Sequence, residues 1–231
     1  KANHLALLIA TSPISRQGAQ LAYHTIFIPS VKYTLPQSFY LRSQLEQAQA
    51  QSITKIIAKC GYNRNTARAI IYGPKNFAGA GFLPWHLLQG EGQVTQFLKH
   101  WRTNTLVSKT LHIAVRWAQW QSGHGAFILD DTTTNLPYLE CRWLRSLRDF
   151  LGGINAHIRL EQSIVAPPER RHDIYIMQFA RECGLFTTQE LHVINYCRLH
   201  LHITTVSELF NADGDTIIPH LFDCHREPWF D

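Results

Sequence analysis

The first 120 residues of this chain have almost no acidic side chains. They contain thirteen lysines and arginines but only two acids, Glu46 and Glu91, which is a net charge of +11. The rest of the chain has no lysine, nine arginines and fifteen acids, a net charge of −6. The formal charge of +5 for the whole chain conceals this division. Such a basic half is either a solvent-exposed charged surface or a surface that binds a polyanion by electrostatic attraction.

Other absences narrow the class of protein. No apolar run approaches the ~20 residues that a bilayer span needs, and the start has no signal-peptide layout. The five cysteines are odd in number and widely spaced, which favours a reducing compartment over a disulfide framework. We therefore expect an intracellular protein, cytoplasmic or nuclear, with no membrane partner. The only methionine is Met177, so we also expect a piece of a longer polypeptide.

Apolar residues recur at helical spacing along most of the chain. The clearest stripe includes Leu45, Ile53 and Ile57, and Gly61 is placed to end that helix. Other helices are predicted from Ser15 to Phe27, after Pro84, from Leu106 to Gln121, from Leu139 to Leu151, from Asp173 to Cys183 and from Leu191 to Leu201. The spacing of Thr187 with Glu190 and of Thr205 with Glu208 predicts two capping boxes, and residues 157–160 are a possible strand. The fold class predicted is mainly α, with bundle-like helical segments and at most a few short strands.

The charge changes sign near a segment with turn chemistry, from Gly123 to Pro137. This change predicts two regions, a basic helical one at 1–122 and an acidic helical one at 123–231. In the acidic region, Arg142, Arg145 and Arg148 are predicted to lie on the outer side of their helix.

The densest basic stretch runs from Lys55 to Lys75, where every charge is positive. The segment 62–83, which overlaps it, is rich in Gly, Asn and Pro and predicts a loop with at most one short strand at 70–72. Tyr62 stands between Gly61 and Asn63, where an exposed ring would stack on a base. The candidate nucleic-acid-binding residues are Lys55, Lys59, Tyr62, Arg64, Arg68, Lys75, Lys99 and Arg102. For Lys55 and Lys59 the alternative is favourable interaction with the dipole of the helix that they end.

Three blocks carry a resemblance to a known family. They are residues 60–74 (CGYNRNTARAIIYGP), 79–82 (GAGF) and 88–102 (LQGEGQVTQFLKHWR), with two flanking stretches, 22–36 and 194–199. Together they resemble the C-terminal region, thumb and post-thumb, of a non-LTR-like retrotransposon reverse transcriptase. The resemblance implies a thumb-like segment that grips template and primer, RNA or DNA. It also implies an upstream polymerase palm of the same polypeptide as partner, with Mg²⁺ in that palm and no cofactor in this segment.

Catalytic signatures are weak in the chain itself. Polymerase chemistry needs clustered carboxylates that hold two metal ions, and the first 120 residues have only two acids. Asp130 and Asp131 are adjacent, but Ile128 stands where polymerase palms have an aromatic residue, so a capping or turn role is favoured over catalysis. The segment is therefore expected to be non-catalytic, although its parent resembles an RNA-directed DNA polymerase.

Three alternatives remain open. A protein-interaction or structural helical module, with no direct nucleic-acid contact, would explain the same composition. A nuclease would use Asp130, Asp131 and a nearby histidine. Zinc would accept the late cysteines and histidines, although their spacing departs from that of zinc knuckles. These late residues are Cys197, His200, His202, His220, Cys224 and His225.

Overall fold

The computed structural model describes residues 1–165, 168 and 170–219, and over this part the chain is mainly helical, as predicted. The α-helices described are α1 (Ala2–Thr11), α2 (Arg16–Ala22), α3 (Ile28–Lys32), α4 (Arg42–Lys59), α5 (Arg68–Tyr72), α6 (Trp85–Trp101), α7 (Leu106–Ser122), α8 (Arg142–Gly153), α9 (Ile176–Glu182) and α10 (Thr188–His200). A π-helical turn at Tyr23–Phe27 joins α2 to α3, and 3₁₀ turns lie at Leu35–Gln37, Lys75–Phe77 and Val206–Leu209. Across these residues there is no β-sheet, only two isolated antiparallel bridges, Tyr175 with Thr205 and Phe210 with Ile217.

The chain divides into two compact units, Lys1–Thr103 (unit 1) and Asn104–Asp231 (unit 2). The change of charge near Gly123 lies inside unit 2, after helix α7. Unit 1 has eleven lysines and arginines against two acids, a net charge of +9, and unit 2 has eleven arginines and lysines against fifteen acids, a net charge of −4. No helix in the described ranges is long and apolar enough to cross a bilayer.

The core of unit 1 is built on helix α4, which packs against α1. Ile53, Ile56 and Ile57 of α4 are almost completely buried, as the apolar stripe predicts. Tyr23 and Phe27, from the π-helical turn, join them in one apolar cluster. Gly61 follows α4 with φ of +90°, a left-handed conformation that glycine adopts without steric cost. The predicted end of α4 is therefore confirmed.

One local expectation for unit 1 differs from the structure, and helix α1 was not predicted. The β-branched run at 70–72 is not a strand but part of helix α5. The reason is tertiary, because Ile71 is fully buried and the carbonyl groups of Ile70 and Ile71 accept hydrogen bonds from Ala80 and Phe82. The sequence pattern also gave no signal for α1, which buries only Ala6 and Ile9.

In unit 2 the capping signatures are confirmed. Thr187 and Glu190 form a capping box at the start of α10, and Thr205 and Glu208 form another before the 3₁₀ turn. The outward position predicted for Arg148 is wrong. Arg148 is only 5% exposed, and its guanidinium donates to the carbonyl oxygens of Ile128 (2.9 Å) and Asp131 (2.7 Å). The possible strand at 157–160 does not form either.

Candidate nucleic-acid interface

The basic loop, residues 62–83, has a fixed backbone conformation. Main-chain hydrogen bonds join Gly81 N–H to the carbonyl of Gly73 (2.9 Å) and Gly79 N–H to that of Pro74 (3.0 Å). A Cβ at Gly79 would overlap the carbonyl group of Gly73, so this close approach requires glycine. Phe82 is 2% exposed and anchors the returning end of the loop in the core. The loop therefore presents its other side chains from a rigid base.

Three of the predicted cations lie exposed on this loop: Arg64, Arg68 and Lys75. The aliphatic part of Lys75 lies over Gly81, which leaves its ammonium group at the surface. Burial lowers the pKa of His24, and the charge of Lys75 lowers it further, which shows that Lys75 lies near the π-helical turn. None of the three has a carboxylate partner among the salt bridges of unit 1.

The acids of unit 1 are both paired elsewhere. Glu91 lies 3.3 Å from the ammonium group of Lys32, and Glu46 accepts a hydrogen bond of 2.7 Å from Arg42. Every residue of unit 1 is described, and it has no third acid. The exposed cations of the loop consequently keep their positive potential, because no carboxylate of the unit remains to neutralise them.

Lys55 and Lys59 differ from the loop cations. Both are half-buried on helix α4. The ammonium group of Lys59 donates a hydrogen bond of 2.7 Å to the carbonyl oxygen of Ser12, the residue that ends α1. Lys59 thus has a structural partner, in line with the alternative of a cation at a helix C-terminus. The binding roles predicted for both lysines remain predictions.

Tyr62 is half-buried rather than free at the surface. It packs against the apolar cluster of unit 1, and its ring meets that of Phe82 edge to face, with 6.0 Å between centroids. Because Phe82 and the apolar cluster cover part of the Tyr62 ring, less of the ring surface is accessible for stacking on a base. Its predicted stacking role remains untested.

Lys99 and Arg102 are exposed at the far end of helix α6. The helix begins at Trp85, just after the loop, so Lys99 lies about 21 Å along its axis at 1.5 Å per residue. Lys99 and Arg102 therefore lie at the opposite end of α6 from the helix start that follows the loop.

The acidic pair in unit 2 lines a cavity of about 630 Å³ together with Asp149 and His157. Sequence reasoning did not identify Asp149 or His157, since neither lies close to the pair along the chain. Asp131 accepts hydrogen bonds from the main chain and hydroxyl groups of Thr133 and Thr134. Burial opposes ionisation of Asp131, but these hydrogen bonds outweigh it and lower its pKa to about 2. Asp130 lies 3.1 Å from the guanidinium of Arg159. The hydrogen bonds of Asp131 are thus those of a turn, the role that the sequence favoured over catalysis.

No group of three or more histidines, cysteines and acids suited to a metal ion occurs within the part of the chain that the structure describes. Of the late candidates, Cys197, His200 and His202 belong to that part. His220, Cys224 and His225 lie outside it. The zinc alternative therefore stays open.

Comparison of this chain with protein-family models, with curated proteins and with solved structures gives no match. The resemblance to retrotransposon reverse transcriptases consequently stays an interpretation of sequence motifs.

Proposed function

We propose that this chain is a non-catalytic segment of a reverse transcriptase polypeptide that binds template and primer through unit 1. The observation that carries the proposal is the rigid loop with three exposed cations, in a unit whose two acids are both paired. The motif resemblance supports the same assignment. An upstream palm would supply the carboxylates and Mg²⁺ of the polymerase reaction.

The chemistry of the loop suits phosphate contacts. Arginine guanidinium groups bind phosphate oxygens with charge-assisted hydrogen bonds, and a lysine adds a point charge. Each neutralised phosphate releases counterions, so affinity falls with salt at about 0.9 logarithmic units per contact on duplex DNA. Binding of this kind is blind to sequence, as a polymerase that copies any template requires.

The test is a salt titration of a triple variant, Arg64→Gln, Arg68→Gln and Lys75→Gln. If the three side chains contact phosphates, affinity falls and the slope of log affinity against log salt flattens by up to about 3 units on duplex DNA. All three residues are exposed, so the melting temperature should not change. Fluorescence anisotropy with a labelled primer–template duplex measures both quantities.

The matched control removes the same charge from exposed cations that already have carboxylate partners: Lys32→Gln, Arg42→Gln and Arg159→Gln. The control keeps the wild-type slope if the loop makes the contacts. Equal flattening in the two triple variants would mean that only total charge matters, and an unaltered slope in the loop variant would remove the proposal's physical support.

The alternative function is protein docking through unit 2. Helices α9 and α10 and the link between them expose large apolar side chains, namely Phe179, Leu185, Phe186, Val193 and Tyr196. Exposed apolar groups gathered on neighbouring elements are typical of an interaction surface. Binding of a protein partner by this route would depend little on salt, so the titration above separates the two functions.

A further inference from the structure

The basic loop carries one aromatic side chain that the structure does not use. Phe77 ends the 3₁₀ turn Lys75–Phe77 and is 85% exposed, more than any other large apolar residue among those described. Exposing a phenyl ring forgoes the stabilisation that its burial would provide. The fold of the loop gives no reason for a ring at this position.

The conformation around Phe77 is set by its neighbours. The N–H of Phe77 donates to the carbonyl of Pro74 (3.0 Å), and Ala78 follows in the left-handed region with φ of +60°. Gly79 then approaches Gly73 so closely that no Cβ fits. The ring therefore projects from a turn that is already ordered, and a ligand would not have to bear the cost of ordering it.

The charges of the loop that carries Phe77 select the kind of partner. The loop has no acid, and its exposed cations Arg64, Arg68 and Lys75 favour an anion. An aromatic ring among cations is the combination with which proteins bind single-stranded nucleic acid, stacking on a base while the cations hold phosphates. In a duplex the faces of the bases are already stacked, so the ring would have no target there.

We propose that Phe77, rather than Tyr62, is the base-stacking residue of the chain, and that it binds an unpaired nucleotide next to the phosphates held by the loop cations. This inference rests on the proposed function and adds a preference for single strands or unpaired template. Tyr62 is less suited because its ring already packs against Phe82 and the apolar cluster.

The test compares Phe77→Ala, Phe77→Leu, Phe77→Trp and Tyr62→Ala in the whole chain, with labelled oligo(dT), oligo(U) and a duplex of equal length as probes. Phe77→Ala and Phe77→Leu should weaken binding of single strands by about 5- to 150-fold, the range that loss of one stacked base produces. Phe77→Trp should retain the affinity. Binding of the duplex, the salt slope and the melting temperature should stay unchanged, because the ring contacts neither phosphates nor the core.

Three results would overturn the inference while the proposed function stands: wild-type affinity of Phe77→Ala for single strands, wild-type affinity of Phe77→Leu, or an equal loss on the duplex. In each of these the loop triple variant would still flatten the salt slope. A loss confined to Tyr62→Ala would return the stacking role to that residue. No binding of any probe by the unaltered chain would overturn both proposals.

Discussion

Arg198 lies in the core of unit 2, with only 1% of its surface exposed. Its guanidinium donates to the carbonyl oxygens of Trp120 and Gln121, each at 2.7 Å, and to the side chain of Asn195 at 2.9 Å. Trp120 and Gln121 belong to the last turn of α7, whose carbonyl groups lack partners within the helix. Burial lowers the pKa of Arg198 to about 10, so it remains a cation at neutral pH. This arginine therefore completes the end of a helix.

Replacing Arg198 should be costly for this reason. Arg198→Met removes the arginine donor from the carbonyl oxygen of Gln121 and from the side chain of Asn195, whereas the carbonyl oxygen of Trp120 keeps the N–H of Gly123 (3.2 Å). We expect the free energy of unfolding to fall by about 2–4 kcal/mol. Arg198→Lys should lower the free energy of unfolding by most of that amount as well, because one ammonium group cannot reproduce the hydrogen-bond geometry of the planar guanidinium. Urea unfolding followed by circular dichroism measures both changes.

The control for Arg198 is Arg159→Met in the same unit. The side chain of Arg159 is 74% exposed and pairs with Asp130, so its loss should cost no more than about 1 kcal/mol. Equal stability of the Arg198 and Arg159 variants would contradict the structural role of Arg198.

Helix α6 shows how buried polar groups position an element. Gln89 donates to the carbonyl oxygen of Tyr40 (2.9 Å), and Gln93 donates to that of Ser38 (2.8 Å). Both glutamines are almost fully buried. They bind the main chain of the segment before α4 and hold it against α6, where Gly92 lets Pro36 approach the helix.

Gly92→Ala should destabilise unit 1. A Cβ at this position would overlap the ring of Pro36, and overpacking of this kind costs about 1–3 kcal/mol. That cost exceeds the helix propensity gained by alanine, at most about 1 kcal/mol. Gly18→Ala in α2 is the matched control, since its Cβ would meet neighbours at an ordinary 3.4 Å. We expect a lower urea midpoint for Gly92→Ala alone, and a midpoint at or above that of the wild type would show that the contact relaxes freely.

For the molecule as a whole, the charge of each unit decides how it responds to a polyanion. Unit 1 has a net charge of +9 and unit 2 of −4, and in the whole chain the second field opposes the first. The guanidinium groups of Arg148 and Arg198 in unit 2 bind main-chain carbonyl oxygens inside the unit.

Residues 1–103 alone should therefore bind nucleic acid several-fold more tightly than the whole chain at low salt. The difference should shrink near 0.1 M salt, where screening limits interactions between exposed charges to about 10 Å. Anisotropy titrations of both proteins at several salt concentrations measure this, with circular dichroism to establish that the shortened chain is folded. A folded fragment 1–103 that binds more weakly than the whole chain would contradict the prediction.

Several features followed from the sequence alone because they depend on residues near one another along the chain. The stripe of α4, its end at Gly61 and the capping box at Thr187 need only a helical period and a local hydrogen bond. The mainly α fold class followed from the same periodicity. The uneven charge is a property of composition, and no fold changes it.

Other features were decided only by tertiary structure, because they depend on partners far apart along the chain. The run at 70–72 forms a helix since Ile71 is buried and the carbonyl groups of Ile70 and Ile71 accept hydrogen bonds from Ala80 and Phe82. Lys59 binds Ser12, 47 residues away, and Arg198 binds Gln121, 77 residues away. The sequence therefore does not distinguish a lysine or arginine that faces solvent from one that donates hydrogen bonds to the carbonyl groups at the end of a helix. Burial separates the two, and the fold alone determines burial.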